Sequence, residues 1–184
     1  MSPSQKSEDD GGPSISRMAR LIRGVQRKDQ ADATIESLLT AVTYNWLIAA
    51  PDARAKNFSI LLSGTSTALA PLYDIASIAP YDRYDPAGAK IAQSVDGHFR
   101  IAEIGAPQWH AQAASLGLDG ARFVETVRTL IAGAPAQISS LCASPDVVSI
   151  DAEFARVLES ALLRRVADAG RSVGSPNPGE GAAE

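Results

Sequence analysis

Cys142 is the single cysteine in a chain of 184 residues, so no intrachain disulfide can form and no zinc site can be built from clustered thiolates. The two histidines, His98 and His110, lie far apart and lack cysteine partners, which removes the other common zinc pattern. His98 reads as a hairpin surface residue and His110 as a helix residue. Aromatic residues make up only 5% of the chain, and the two tryptophans, Trp46 and Trp109, have no basic stripe beside them. They read as core residues rather than platforms for stacked bases. No stretch approaches the roughly eighteen consecutive apolar residues of a membrane span, and Met1 to Pro13 is polar and acidic, without the apolar centre of a secretion signal. No membrane contact is expected, and the expected location is cytoplasmic. Basic residues number 17 against 21 acidic, a net charge of -4, so no broad electrostatic grip on nucleic acid is expected.

What remains is an ordinary globular composition, 45% hydrophobic and 21% charged, in a chain long enough for one domain with a real core. Residues 1–12 read as a flexible leader and residues 172–184, rich in Gly, Pro and Ser, as a disordered tail. The domain is expected over 13–171. Its dominant signal is helical, so the fold class reads as mainly α with one or two short β-hairpins. Ile15, Met18, Leu21, Ile22 and Val25 recur at three- and four-residue steps behind Ser14 as N-cap. Arg17, Arg20, Arg23, Arg27 and Lys28 make this first helix basic, which reads as a solvated face. A second helix carries Ile35, Leu38, Leu39, Val42, Trp46 and Leu47 and should stop near Ala49, because Pro51 disfavours helical geometry at Ala50.

Further along, Phe58 to Leu62 and Ala68 to Ala70 read as a strand pair about the turn Ser63-Gly64-Thr65-Ser66. Lys90 to Ser94 and His98 to Ile101 form a second pair about Asp96-Gly97, a favoured hairpin turn. Between the pairs, Pro80 to Gly88 holds too many breakers for regular structure. The remainder is helical: Pro107 to Leu118, then a helix capped by Asp119, then one led by Asp151 through Phe154, Val157 and Leu158. Pro135 is expected to break or kink the middle one.

The chemistry concentrates after the second helix. Asp52 is followed five positions later by Asn57, with Arg54 and Lys56 between them, and Asp74 follows the first hairpin. This is the layout of a protein-kinase phosphotransfer site. In that layout Asp52 orients the attacking hydroxyl or accepts its proton. Asn57, through its amide oxygen, and Asp74, through its carboxylate, hold Mg²⁺, which favours hard oxygen ligands. Lys56 or Arg54 contacts the transferring phosphate. A hairpin returns the chain near its start, which can bring Asp74 to Asn57. The competing reading is local: Asp and Asn are frequent in loops because their side chains satisfy neighbouring backbone groups. A hydrolase-like metal cluster of Asp74, Asp82 and Asp85 is a further alternative, opposed by Arg83 and Pro86.

Five stretches, Asp10-Gly11-Gly12-Pro13, Tyr44-Asn45-Trp46-Leu47-Ile48, Asp52 to Ser59, Leu69-Ala70-Pro71-Leu72-Tyr73-Asp74-Ile75 and Lys90-Ile91-Ala92, occur in an order and spacing that resembles the C-terminal domain of HipA-type serine/threonine kinases, the toxins of bacterial toxin-antitoxin systems. The resemblance covers roughly Asp10 to Arg171. It implies a helical kinase-like C-lobe, ATP- and Mg²⁺-dependent phosphotransfer to a protein serine or threonine, Asp52 as catalytic aspartate, and Asn57 with Asp74 as magnesium ligands. It also implies a helix-turn-helix antitoxin as partner. Two departures stand out. The family usually has Asn or Ala then Thr before the catalytic aspartate and His two residues after it, where this chain has Ala50, Pro51 and Arg54. The ATP-gripping N-terminal lobe has no counterpart before Met1, so the chain alone is expected to be inactive and to expose an apolar patch where that lobe packs. The rival expectation is a noncatalytic remnant that binds an antitoxin or a separately encoded N-lobe.

Overall fold

The computed structural model describes residues 7–63 and 66–174. Five α-helices are described: α1 Ile15–Val25, α2 Lys28–Leu47, α3 Ala106–Ser115, α4 Gly120–Cys142 and α5 Pro145–Val173. Two antiparallel strand pairs interrupt them, β1 Ile60–Ser63 with β2 Ser66–Leu69, and β3 Lys90–Val95 with β4 His98–Arg100. The mainly α reading with two short hairpins is therefore correct.

α2 is the central element. Ile35, Leu38, Leu39, Trp46 and Leu47 are all fully buried, and the polar Thr43 and Asn45 on the same helix are buried with them. Each satisfies a helix carbonyl four residues back, Thr43 Oγ1 to Leu39 O and Asn45 Nδ2 to Ala41 O, which allows a helix to be enclosed on several sides. Trp46 meets Trp109 of α3 edge to face at 5.5 Å, and Trp109 meets Phe123 of α4 at 6.2 Å. The indole of Trp46 donates to Ile101 O at 3.1 Å. The two tryptophans are core, as their helical placement predicts. α3 and α4 come close at Gly120, where an added Cβ would stand 2.7 Å from His110 O.

Several boundaries differ from expectation. α2 ends at Leu47, and Ala49 turns the chain with a φ of 53°. α4 runs unbroken through Pro135, whose ring lies on an exposed face where water can satisfy the carbonyl that proline leaves without a donor. The expected break there is corrected. The interruption falls instead in α5, at Asp151 with φ -161° and ψ 97°. Its Oδ1 accepts from Glu153 N at 3.0 Å and Phe154 N at 2.8 Å, so Asp151 caps the main segment, and an additional stretch from Pro145 precedes it. Asp96 and Gly97 both take positive φ, 51° and 79°, the geometry of a tight hairpin turn. Gly64 and Thr65, in the expected turn of the first hairpin, lie outside the described residues.

Part of the stretch read as a leader is docked. Glu8–Asp10 form a 3-10 turn whose acids reach β3: Glu8 accepts from Ser94 N at 2.8 Å and Ser94 Oγ at 3.0 Å, and Asp9 pairs with Lys90 at 2.7 Å. The sequence shows these residues only as acidic and polar, and their partners are some eighty positions away. Residues 1–6 and 175–184 lie outside the described residues, whereas Ser172 and Val173 belong to α5. No described helix is long and apolar enough to cross a membrane.

Candidate functional site

The end of α2 sets the position of the site. Ala50 N closes on Asn45 O at 2.8 Å, Ser77 Oγ donates to Ile48 O, and Ile78 N donates to Ala49 O at 3.0 Å. These bonds tie the segment after Asp74 back onto the helix end before Asp52. From α5, Arg165 lies 4.9 Å from the Trp46 ring and donates to Trp46 O at 3.2 Å, which satisfies a carbonyl at the helix terminus. Burial lowers the Arg165 pKa to about 10, with Asp168 acting in the opposite direction. The guanidinium thus remains a cation at neutral pH.

Pro51 and Asp52 turn the chain into a short 3-10 segment, Ala55–Asn57. Asp52 O accepts Arg54 N at 2.7 Å and the side-chain Nδ2 of Asn57 at 3.1 Å. The same Nδ2 donates to Asp74 Oδ2 at 3.1 Å. Asn57 is 6% exposed, whereas Asp52, Lys56 and Asp74 are exposed. One buried amide therefore joins the loop of Asp52 to the segment of Asp74. Asp74 itself has a φ of 57°, a left-handed conformation that Asp tolerates better than most residues. Tyr73, beside it, donates from its hydroxyl to Lys56 O at 2.8 Å and shares a 2.8 Å bond with Ser59 Oγ. The Gln93 amide, oriented as its neighbours demand, donates to Pro13 O at 3.0 Å and accepts from Ala55 N at 3.3 Å.

The structure thus brings Asp52, Asn57 and Asp74 together. It places the two cations differently. Arg54 Nη2 sits 2.7 Å from Asp52 Oδ1, a close ion pair across the turn. Lys56 is exposed and forms no ion pair among the described residues. Asp85 is engaged elsewhere, accepting from Ala87 N at 3.0 Å and Gly88 N at 3.1 Å, and no group of three His, Cys, Asp or Glu suited to a metal occurs among the described residues. Arg83 lies 4.9 Å from the Tyr84 ring. These facts leave no support for a cluster of Asp74, Asp82 and Asp85.

The donor set fits a hard divalent cation in chemistry. Mg²⁺ is usually held by one or two protein oxygens, with phosphates and water completing its shell, so an amide oxygen and a carboxylate on adjoining segments suffice. In the observed rotamer Asn57 presents its amino group, not its oxygen, to Asp74. Ligation of one ion by both residues requires the Asn57 amide to turn over, so that its single oxygen rather than its amino group faces the Asp74 carboxylate.

Sequence reasoning missed the supports of this site. Arg165 resembles any helix arginine, Gln93 any strand glutamine, and Ser77 any loop serine. Only the tyrosine before Asp74 carried a signal, since it lies within the stretch Pro71-Leu72-Tyr73-Asp74.

The family defined as the HipA-like C-terminal domain matches residues 1–138. A protein of Sinorhizobium fredii named "Putative kinase Y4mE" is 32% identical over 116 residues, covering 63% of this chain and 26% of that protein. HipA of Shewanella oneidensis MR-1, solved in a toxin-antitoxin complex with HipB and its operator DNA, superposes with a TM-score of 0.71 at 22% identity, over 95% of this chain and 42% of that one. The chain spans less than half the length of either. Helices, hairpins and the extent of the family match agree, and the chain belongs to the family of HipA-like C-terminal domains.

Proposed function

We propose that this chain is the phosphotransfer lobe of a HipA-like kinase, acting on a protein serine or threonine with ATP as phosphate donor. The observation that carries the reading is the Asn57 amide bonded at 3.1 Å to both Asp52 O and Asp74 Oδ2, because it gathers at one point the three positions that a kinase site requires. Asp52 orients the substrate hydroxyl and accepts its proton. Asn57 and Asp74 hold Mg²⁺, which when bound offsets charge on the phosphates. Lys56, exposed beside them, contacts the transferring phosphate, and Arg54 reaches that phosphate only after leaving Asp52.

Taken alone, the 184-residue chain is a poor ATP binder in this reading, because Asp52, Lys56 and Asp74 lie on an exposed surface. Nucleotide-sized ligands are held in sites that bury roughly 70 to 90% of their surface. The second wall is supplied by a further lobe, such as the remainder of the longer relatives. A helix-turn-helix antitoxin is the proposed regulatory partner, as suggested by the complex of the Shewanella relative with HipB.

The test is calorimetric titration of Mg-ATP into the chain, alone and mixed with the N-terminal region of a HipA-family relative. No saturable binding below millimolar concentration is expected alone, and binding weakened by Asp74→Asn is expected in the mixture. Micromolar binding by the chain alone would overturn the shared-cleft reading. One observation favours a second reading, a noncatalytic module that binds an antitoxin or a separate lobe: Arg54 occupies an oxygen of Asp52. Antitoxin binding without phosphate incorporation would favour it.

A further inference from the structure

An apolar groove of about 380 Å³ runs between α1 and the β1–β2 hairpin and ends against Ala55 and Phe58, the residues that flank Lys56 and Asn57. Its walls include Met18, Leu21 and Ile22 of α1 facing Ile60 and Leu69 of the hairpin. Ile60 and Leu69 are cross-strand partners. Leu62, two residues beyond Ile60 and so on the same face, is 76% exposed, and Leu21 is 65% exposed. An apolar groove whose wall includes an exposed leucine, and whose hairpin carries a second on the same strand face, marks a contact surface rather than scattered surface leucines.

The charge around the groove narrows what fits it. Among the described residues, Arg17 is the one titratable residue lining it, and no acid does. α1 contains Arg17, Arg20 and Arg23 and no Asp or Glu, on a chain whose net charge is -4. Arg23 is spent within the fold, donating to Leu116 O and lying 3.6 Å from Asp32. The guanidiniums of Arg17 and Arg20 form no ion pair among the described residues. A trough of leucine and isoleucine with uncompensated arginine at its edge is complementary to apolar side chains interleaved with carboxylates.

We propose that this groove docks a segment of a partner protein in which leucine-like residues alternate with acidic ones. Nucleic acid would engage the arginines but leave the trough unfilled. The segment, once seated, ends beside the turn that carries Asp52, so docking brings its flanking residues to that surface. The inference stands apart from the phosphotransfer reading, since it uses none of Asp52, Asn57 or Asp74.

The experiment titrates the full chain into a short fluorescein-labelled peptide of alternating leucine and glutamate, read by fluorescence anisotropy. Leucine–lysine and serine–glutamate peptides serve as controls. Saturable binding is expected for the leucine–glutamate peptide alone, weakened about tenfold by Leu21→Asp and by Arg17→Glu and by added salt. Ile150→Asp, at a residue 86% exposed on α5, should leave it unchanged. Leu21 and Arg17 are exposed enough that both variants should keep the wild-type melting temperature, which is measured alongside. Absence of saturation, equal binding of the leucine–lysine peptide, or indifference to both groove variants would overturn the proposal. Displacement of the peptide by a duplex oligonucleotide would reassign the face to nucleic acid. Sedimentation showing a dimer that Leu21→Asp dissolves would reassign it to a second copy of the chain.

Discussion

Asn57 and Asp74, 17 positions apart, are joined side chain to side chain, Nδ2 donating to Oδ2 at 3.1 Å. The bond is the hinge of the proposed site because the same nitrogen also holds the loop of Asp52. Asn57→Ala removes both bonds from a buried position and should cost about 1–3 kcal/mol in denaturant melts. Asn57→Asp sets a second carboxylate against Asp74. It should melt lower than wild type without Mg²⁺ and recover with millimolar Mg²⁺ by more than wild type gains. A variant indifferent to Mg²⁺ would argue against a shared metal.

Arg54 and Lys56 differ in setting, the first paired with Asp52 and the second exposed, and the proposed phosphotransfer reading gives them different roles. The Asp52–Arg54 pair is half-exposed, so Arg54→Ala should change stability by no more than about 1 kcal/mol. In the lobe mixture, Lys56→Ala should raise the KM for Mg-ATP, whereas Arg54→Ala should preserve or raise kcat by freeing Asp52. A fall in kcat on Arg54→Ala would assign that guanidinium to the transferring phosphate instead.

Trp109 is fully buried between Trp46 and Phe123. Trp109→Ala should cost about 3–5 kcal/mol, read as a lower denaturant midpoint. A smaller loss would mean that α3 and α4 collapse onto the vacated space.

Cys142 is buried, and burial together with the neighbouring Glu159 raises its thiol pKa above the ordinary value of 9.0. Being the single thiol, it gives a clean signal. Reaction with a disulfide reagent near pH 8 should be slow in the folded chain and fast in denaturant. The linkage has a definite sign: above about pH 9 the unfolded chain loses a proton that the folded chain keeps, so this group makes stability fall as pH rises. Arg165, held at about 10, acts in the opposite direction from about pH 10 upward, because there the folded chain is the one to release its proton first. Denaturant midpoints measured between pH 8 and 10 in wild type and Cys142→Ser isolate the thiol: wild type should decline with pH more steeply than the variant.

The helices and hairpins were legible because each carries a local signal: the α1 stripe behind Ser14, the Asp96-Gly97 turn, and the Asp119 and Asp151 caps. The three polar residues of the site were legible as a spacing. What was not legible depends on long-range closure. Nothing local to Arg165 says that it leaves the solvent to hold a carbonyl of Trp46, 119 positions away. Nothing local to Glu8 says that it will receive the amide of Ser94. Pro135 misled for a related reason, since a proline on an exposed helix face loses one hydrogen bond that water can replace. The ion pair of Arg54 with Asp52 lies only two residues apart, yet its sense, restraint or support, depends on what approaches from outside the chain.

The measurement that bears most directly on the phosphotransfer claim is transfer of labelled phosphate from ATP in a mixture of this chain with the N-terminal region of a HipA-family relative. The account predicts Mg²⁺-dependent incorporation into protein, reduced roughly 10²- to 10⁴-fold by Asp52→Asn and abolished by Asp74→Asn, with both variants folded. Incorporation that survives both substitutions, or none from the wild-type mixture, would contradict it.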